Sequence, residues 1–330
     1  AQVAYYDVFN GDADGLCSLQ QLRLDEPRDA RLVTGVKRQI ELLRRVEAAP
    51  GDRVTVLDLS LDKNRPALEG LLERGVLVRY FDHHFPGEIP RHERLEVHIE
   101  TIPDKGTSLL VDEYLHGKYR AWAVVGTFGD NFDASARRAA APLGLDERQI
   151  DALRELGICL NYNGYGARVA DLYYPPDELF GRLHPYADPL EFMAAEDAFS
   201  VLREGFAADM ARARALAPEL EDDRHTVYVL PARSWARRVG GVFANELAGR
   251  APGRAHALLT SLPEGGYSVS VRAPLQDPVG ADDLCRGFSS GGGRKAAAGI
   301  NVLPENDYDE FVARFMAAFP RSAVASRENP

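Results

Sequence analysis

The chain has 330 residues, of which 45% are hydrophobic and 27% charged, which is the composition of a soluble globular protein with room for two domains. Its net charge of −11 argues against a protein that holds long nucleic acid mainly through the phosphate backbone, because such binding needs many Lys and Arg contacts. We find no apolar run that could span a membrane, we expect no secretory signal, and the three widely spaced cysteines suggest neither a disulfide scaffold nor a thiolate zinc site. A cytoplasmic protein is therefore predicted.

The first half of the chain alternates strand-like and helix-like patterns. The predicted elements are strand Val3–Phe9, helix Leu16–Leu24, helix Lys37–Ala48, strand Arg53–Leu59, helix Lys63–Arg74 and strand Val76–Phe81, then helices Ser108–Leu115, Arg120–Phe128 and Glu147–Leu160. Such alternation is typical of βαβ units. We predict an α/β fold whose first domain is a mostly parallel, doubly wound sheet covered by helices on both faces.

A helical, Ala-rich and charged segment from about residue 189 to 216 is predicted to connect this domain to a smaller α/β domain. The elements predicted for the smaller domain are strand Thr226–Leu230, helix Trp235–Leu247, strands Ala255–Thr260, Tyr267–Arg272 and Ile300–Leu303, and helix Tyr308–Phe319. The predicted division is a first domain at 1–188, a helical linker at 189–221 and a second domain at 222–325.

Acidic and imidazole side chains stand where three predicted strands end. Asp12 and Asp14 follow the first strand, Asp58 lies in the next, and the triplet Asp82–His84 follows the third. Ligands of open parallel sheets bind at the carboxyl ends of the strands, so these groups can converge there. Each cluster alone could be a turn, since Asp, Asn and Gly are common turn residues. Three clusters together, with two adjacent histidines, indicate a metal site instead.

The residue types suit a pair of divalent ions. In an extended segment Asp12 and Asp14 would point to the same side, one toward each ion, and the two oxygens of Asp58 could bridge both. The imidazole of His83 would complete one shell with nitrogen, which suits Mn²⁺ well and Mg²⁺ less well. Asp130 is a further candidate ligand, although alone it would be an ordinary helix-end aspartate. Two such ions stabilise the attacking and leaving oxygens of an in-line displacement, which is the chemistry of phosphoester hydrolysis.

These segments resemble the four motifs of the DHH phosphoesterases. The matching residues are Asn10-Gly11-Asp12-Ala13-Asp14-Gly15, Asp58, Asp82-His83-His84 and Gly126–Asp130. The segment Gly291–Gly299 resembles the GGxxxxAAG signature of the associated C-terminal domain of RecJ-type exonucleases and nanoRNases.

The resemblance implies a set of metal ligands, which are Asp12, Asp14, Asp58, His83 and Asp130. It also implies that Asp82 orients an imidazole and that His84 lies near the reacting phosphate, as a donor to its oxygens or as a ligand. Asp58, Asp82 and His84 are therefore the predicted catalytic residues.

Two positions depart from the pattern. Many members carry a metal-binding His four residues before Asp12, where this chain has Val8, so one ion would have fewer protein ligands unless Asn10 or water fills the gap. RecJ-type members also lack that His. Many relatives have His after the terminal glycines where this chain has Arg294, which can hold a phosphate but cannot donate its proton at neutral pH.

The second domain is predicted to hold the substrate. Backbone N–H groups of Gly291, Gly292 and Gly293 could approach a phosphate closely, and the cationic side chains there would neutralise it. Those side chains are Arg272, Arg294 and Lys295. The alternative is a flexible Gly-rich hairpin beside a solvated basic face.

The sequence thus predicts a Mn²⁺-dependent phosphodiesterase, with two ions and Mg²⁺ as a possible substitute, that hydrolyses short oligonucleotides or small nucleotides. A compact, acidic chain favours small substrates and no membrane partner, and it leaves monomer and homodimer open. One alternative is a cyclic-dinucleotide or 3′-phosphoadenosine phosphate hydrolase. The other is a non-catalytic nucleotide sensor on the same fold, and the only feature that favours the sensor is Val8 in place of a metal-binding His.

Overall fold

The computed structural model describes residues 2–320. These residues divide into two compact units, one ending at Phe206 and the other beginning at Ala207. The predicted borders at 188 and 222 stay a prediction, and the predicted end of the second domain at 325 lies outside the described residues. Within the described residues, every helix is too short or too polar to cross a bilayer.

The sheet of the first unit is parallel throughout. Its strands, in chain order, are β1 (Tyr5–Phe9), β2 (Arg31–Val33), β3 (Arg53–Leu57), β4 (Leu77–Asp82) and β5 (Leu95–Ile99). Their spatial order is β2-β1-β3-β4-β5, so the direction of winding reverses between β1 and β3. In open sheets of this kind, ligands bind in the crevice that such a reversal leaves at the carboxyl ends of the strands.

Helices cover both faces of this sheet, which confirms the predicted fold class. The helices are α1 (Ala13–Asp25), α2 (Leu61–Glu73), α3 (Thr107–Tyr114), α4 (Arg120–Gly129), α5 (Asp133–Ala140), α6 (Glu147–Tyr162), α7 (Pro176–Leu183), α8 (Pro189–Ala195) and α9 (Ala198–Arg214), which crosses the border between the units. An apolar core of Val, Leu and Tyr side chains joins one face to α2. Asp7 of β1 lies on the opposite face and pairs with Arg23 of α1 at 2.6 Å, with both side chains almost completely buried.

The predicted helix Lys37–Ala48 is wrong. The segment is irregular apart from a short 3₁₀ helix at Leu43–Arg45. Two backbone groups of the segment form hydrogen bonds with a side chain outside it. The Asn64 side chain accepts from the Leu43 N–H at 3.2 Å and donates to the Ile40 carbonyl at 2.8 Å. The apolar residues of the segment still reach the core beside α2, so their spacing imitates a helical face.

Other differences concern short or interrupted elements. The sequence patterns did not predict β2, β5, α5 or α7, and the predicted continuous helix of residues 189–216 is two helices that break at Glu196 and Asp197. Glu147 begins α6 as predicted, with Asp146 and Gln149 forming a capping box.

The second unit contains a mixed six-stranded sheet within the described residues. Its strands are β6 (Leu220–Glu221), β7 (His225–Leu230), β8 (Ala255–Ser261), β9 (Tyr267–Arg272), β10 (Gly291–Gly293) and β11 (Ala297–Leu303), and its helices are α10 (Ser234–Arg250), α11 (Ala281–Arg286) and α12 (Tyr308–Ala318). The spatial order is β10-β11-β9-β8-β7-β6, with β7 and β8 parallel and the other pairs antiparallel. This is the smaller α/β domain that the sequence predicts.

Candidate metal centre

The predicted ligands lie at the carboxyl edge of the first sheet, around the point where the winding reverses. Asp12 caps α1 directly after β1, and Asp14 lies in the first turn of that helix. Asp58 follows β3, His83 follows β4, and Asp130 caps the end of α4. Residues that are far apart in sequence are thus brought to one edge by the strand order.

The turn between β1 and α1 presents its carboxylates at a helix N-terminus. The Asp12 side chain accepts the Gly15 N–H at 2.9 Å, and the Asn10 side chain accepts the Asp12 N–H at 3.1 Å. A Cβ on Gly15 would lie 1.9 Å from the Asn10 carbonyl oxygen, so this tight turn requires glycine. The N-terminus of a helix carries the positive end of its dipole, which attracts negative charge to this turn.

Asp14 is completely buried and is held by the start of α3. Its carboxylate accepts the Thr107 N–H at 2.9 Å, the Ser108 N–H at 2.7 Å and the Ser108 hydroxyl at 2.5 Å. A Cβ on Gly106 would lie 2.8 Å from Asp14 Oδ2, so α3 can approach this closely only with glycine at its N-cap. The contacts fix Asp14 in one orientation.

Asp58 occupies the middle of the cluster. Its φ of +61° is in the left-handed region, which Asp tolerates better than most residues, and its side chain accepts the Thr107 hydroxyl at 3.0 Å. His83 Nε2 lies 3.3 Å from Asp58 Oδ1, 3.6 Å from Asp14 Oδ2 and 3.9 Å from Asp130 Oδ2. One imidazole therefore faces three carboxylates.

Two overlapping groups of donor atoms could hold a metal ion. One group is Asp58, His83 and His84, the other is Asp14, His83 and Asp130, and within each group the ligand atoms lie within 4.8 Å of one another. Carboxylate oxygen with imidazole nitrogen is a donor set that fits Mn²⁺. The residues present therefore suit a divalent cation, with His83 common to both groups.

Electrostatics at the cluster also favour a cation. Burial, followed by the charges of Asp14 and Asp12, raises the pKa of Asp58 well above its usual value and that of Asp130 to about 9. Burial also raises the pKa of Asp12, but the charge and hydrogen bond of Lys37 together with hydrogen bonds from Gly15 and Asp58 outweigh it, so the net shift is downward. A divalent ion would relieve the repulsion between the remaining carboxylates and favour their ionised forms.

Asp82 orients His84, not His83. Asp82 Oδ1 lies 2.7 Å from His84 Nδ1, and Asp82 Oδ2 accepts the His84 backbone N–H at 3.2 Å. Asp82 is completely buried, whereas the His84 side chain is 48% exposed. Burial lowers the pKa of His84, but the hydrogen bond and charge of Asp82 together with the charges of Asp14 and Asp12 outweigh it, so the net shift is upward. The ring is thus positioned by a buried carboxylate and presented to solvent.

Lys37 is a member of the site that the sequence did not predict. Its Nζ lies 2.8 Å from Asp12 Oδ2, 3.7 Å from Asp130 Oδ1 and 3.4 Å from Asn161 Oδ1. The available signal was its position shortly after β2, at the same sheet edge as Asp12. The sequence hides that signal, because β2 has only three residues and the segment that begins at Lys37 has the apolar spacing of a helix.

In the second unit, the structure brings the predicted substrate-binding residues to one corner of the sheet. Gly293 pairs with Ala298 of β11, and Ala297 of β11 pairs with Arg272 of β9. The turn after Gly293 is exposed and contains Arg294 and Lys295. Gly291 and Gly292, the remaining two predicted residues, lie in β10.

Gly291 has a packing role. A Cβ there would lie 1.7 Å from the Cys285 carbonyl oxygen, so the close approach of α11 requires glycine whatever binds nearby. Arg272 is held within the unit, because its Nε donates to Asn245 Oδ1 at 2.7 Å. The glycines and cations thus lie together, and glycine at position 291 is also required for packing against α11.

No family model matches the chain, and none of the curated proteins matches it. Several solved structures are similar to the chain. Exonuclease RecJ bound to manganese is similar with a TM-score of 0.59 and 22% identity over 96% of this chain and 91% of that one. For RecJ from Thermus thermophilus in complex with Mn²⁺ the TM-score is 0.60 and the identity 23%, over 96% of this chain but 52% of that one, so the chain spans about half of that protein.

The DHH domain of a member of the s1p family of ribosomal proteins is similar with a TM-score of 0.66 and 13% identity, over 95% of this chain and 85% of that one. The chain has the DHH fold. A pGpG-specific phosphodiesterase, PggH from Vibrio cholerae, has a similar structure, with a TM-score of 0.54 and 13% identity over 95% of this chain and 98% of that one. In this DHH fold the carboxylates and histidines described above occupy the carboxyl edge of the parallel sheet.

Proposed function

We propose that the protein is a metal-dependent phosphodiesterase that hydrolyses short oligonucleotides or small nucleotides. The observation that carries this proposal is the convergence of Asp14, Asp58 and Asp130 around His83 at the sheet edge, with carboxylate oxygens 3.3–3.9 Å from its Nε2 and two groups of candidate ligand atoms that share this imidazole. Support also comes from the shared fold of an exonuclease and a nucleotide phosphodiesterase. Buried carboxylates beside an imidazole are otherwise an expensive arrangement.

Mn²⁺ is the proposed cofactor, with Mg²⁺ as a weaker substitute. The donor set is mixed oxygen and nitrogen, and the two RecJ structures hold manganese. The predicted ligands of the pair of ions are Asp12, Asp14, Asp58, His83 and Asp130. A divalent ion bound there would polarise the phosphoryl group and lower the pKa of water.

The side chains of the chain itself have separable roles. Asp14 and Asp58 are ligands fixed in place by the first residues of α3. His84 is proposed to donate a hydrogen bond to a phosphate oxygen, because its ring is exposed and its other side is held by Asp82. The hydrogen bond to Asp82 holds a proton on Nδ1 and stabilises the imidazolium, which is the form in which Nε2 can also donate.

The second unit is proposed to bind the phosphates of the substrate. Arg294 and Lys295 lie on an exposed turn, and Arg272 lies on the neighbouring strand. Backbone N–H groups of Gly292 and Gly293 are proposed to add hydrogen bonds. The net charge of −11 favours a small substrate, since a long strand would be repelled by much of the surface. The likeness to a pGpG-specific enzyme favours linear dinucleotides within this class.

The predicted cytoplasmic location also remains a proposal. The three cysteines, Cys17, Cys159 and Cys285, are buried free thiols, which suits a reducing compartment.

Purified protein with Mn²⁺, incubated with a ladder of di- to pentanucleotides and with long single-stranded DNA, tests the function. We expect the short substrates to be cleaved faster, and Asp58→Asn to be nearly inactive. Asp112→Asn is a matched control, because Asp112 is a buried acid of the same unit that pairs with Arg120 instead. Preference for the long strand would reject the substrate class, and absence of turnover on every phosphodiester would reject the function.

A further inference from the structure

Lys37 is held in the metal centre by its backbone as well as its side chain. Its N–H donates to the Gly164 carbonyl at 2.9 Å, and its carbonyl accepts the Asn10 side-chain N–H at 3.0 Å. The same Asn10 side chain accepts the Asp12 N–H. Lys37 is therefore tied to the turn that carries Asp12, unlike a mobile surface lysine.

Both oxygens of the Asp12 carboxylate already have a partner. The Gly15 N–H donates to Oδ1 at 2.9 Å, and Lys37 Nζ lies 2.8 Å from Oδ2. Asp12 belongs to neither of the two groups of metal-ligand atoms. In addition, Val8, four residues upstream in β1, is apolar and buried in the core beside α2, and the carboxylate of Asp7 is paired with Arg23. The partners of Asp14 are neutral N–H and O–H groups, whereas Oδ2 of Asp12 already faces a cation, so Asp12 is poorly placed to hold an ion of its own.

The ammonium is positioned as a cation of the cluster. It lies between Asp12 and Asp130, and its side chain is 35% exposed, so it can also face a ligand. Asp14 and Asp58 face His83, and Asp130 lies near both His83 and Lys37. Asp12 therefore differs from the other three aspartates, because it pairs with the ammonium and belongs to neither group of ligand atoms.

We propose that the Lys37 ammonium is a resident cation of this centre, which neutralises Asp12 and leaves one tightly bound divalent ion where the sequence predicts two. That ion is held by Asp14, Asp58, His83 and Asp130, and Lys37 provides a fixed charge for a substrate phosphate beside it. The inference rests on the proposed metal-dependent function. The inference requires no metal-ligand atom beyond those that the structure places at the site.

Calorimetric titration of metal-free protein with Mn²⁺, together with electron paramagnetic resonance of the loaded protein, tests this inference. We expect the wild type to bind one ion and to show the spectrum of an isolated Mn²⁺. Lys37→Met removes the charge at similar length, so it should free Asp12 Oδ2, bind a second ion and show a spin-coupled pair. Lys105→Met is the matched control, because Lys105 pairs with Glu100 and Glu113 outside the cluster, and it should still bind one ion.

Asp12→Asn provides a second test that does not depend on the folding of Lys37→Met. If Asp12 is neutralised by Lys37, this variant keeps one Mn²⁺ with nearly unchanged affinity, whereas the loss of a true ligand would weaken binding by about tenfold or more. Two tight ions in the wild type, one ion in Lys37→Met, or weakened binding in Asp12→Asn would each overturn the inference. A wild type that binds no Mn²⁺ would overturn the proposed function as well.

Discussion

Asp58→Asn should have opposite effects on stability with and without metal. Asp58 is 2% exposed and lies among other carboxylates, and burial is the first cause of its raised pKa. Asn has nearly the same shape, tolerates the φ of +61°, and its oxygen can still accept the Thr107 hydroxyl. The substitution therefore removes an ionisable group whose charged form is costly at this buried position, and it changes little else.

The size of each effect can be estimated. Without metal, replacing a poorly solvated carboxylate should stabilise the first unit by about 1–3 kcal/mol. At roughly 2–4 °C per kcal/mol for a unit of about 200 residues, an increase near 2 kcal/mol raises Tm by about 4–8 °C. With Mn²⁺ at about 100 times its Kd, the wild type gains about 2.7 kcal/mol, or roughly 5–11 °C, and the variant loses most of that gain.

Differential scanning calorimetry in EDTA and in a series of Mn²⁺ concentrations measures both effects. We expect the variant to melt above the wild type in EDTA and below it in saturating Mn²⁺. Asp112→Asn should melt below the wild type in both conditions, because it breaks a buried ion pair with Arg120. A variant that is destabilised in EDTA, or that keeps the full Mn²⁺ shift, would refute the assignment of Asp58 to the metal centre.

Three further outcomes are expected. Arg23→Met leaves Asp7 buried without its partner and should cost about 3–5 kcal/mol in urea unfolding, and an added Asp7→Leu should recover part of this loss. Asp82→Asn should lower kcat by about 10–100-fold with little change in Mn²⁺ affinity, whereas weaker Mn²⁺ binding would make His84 a ligand. Burial and the charges of Asp14 and Asp12 raise the pKa of Asp130 to about 9, so Mn²⁺ must displace a proton near neutral pH. Mn²⁺ affinity should therefore fall as pH is lowered from 8 to 6, and titrations in buffers of different ionisation enthalpy should detect the released proton.

The parts of the site that the sequence could predict share one property. Asp12, Asp58 and the triplet Asp82–His84 follow apolar strands directly, and parallel strands must end at one edge of the sheet. Strand ends of this kind are visible in a single sequence because β1 and β3 are buried from their second residue onward and β4 is buried over its last three residues. The sheet and the position of its polar edge could therefore be predicted together.

Lys37 and its surroundings could not be predicted for a physical reason. Backbone groups of the segment after β2 form hydrogen bonds with Asn64 and Gly164, which are both distant in sequence. The local sequence pattern therefore does not indicate the conformation of this segment. Its buried apolar residues have helical spacing without helical backbone. The same dependence on tertiary contacts explains why the short strands β2 and β5 carry no strong signal of their own.

The order in which the sheet edge is assembled has a consequence for synthesis on the ribosome. The N-terminal turn that carries Asp12 and Asp14 emerges early, but Asp130 ends α4, and α3 supplies the groups that hold Asp14. A nascent chain that stops before α4 lacks Asp130 and the helix that packs against α1. Capture of an ion by the proposed ligands would therefore have to follow translation of the segment through Asp130, and it would report assembly of the part of the first unit from β1 to α4, since this unit continues to Phe206.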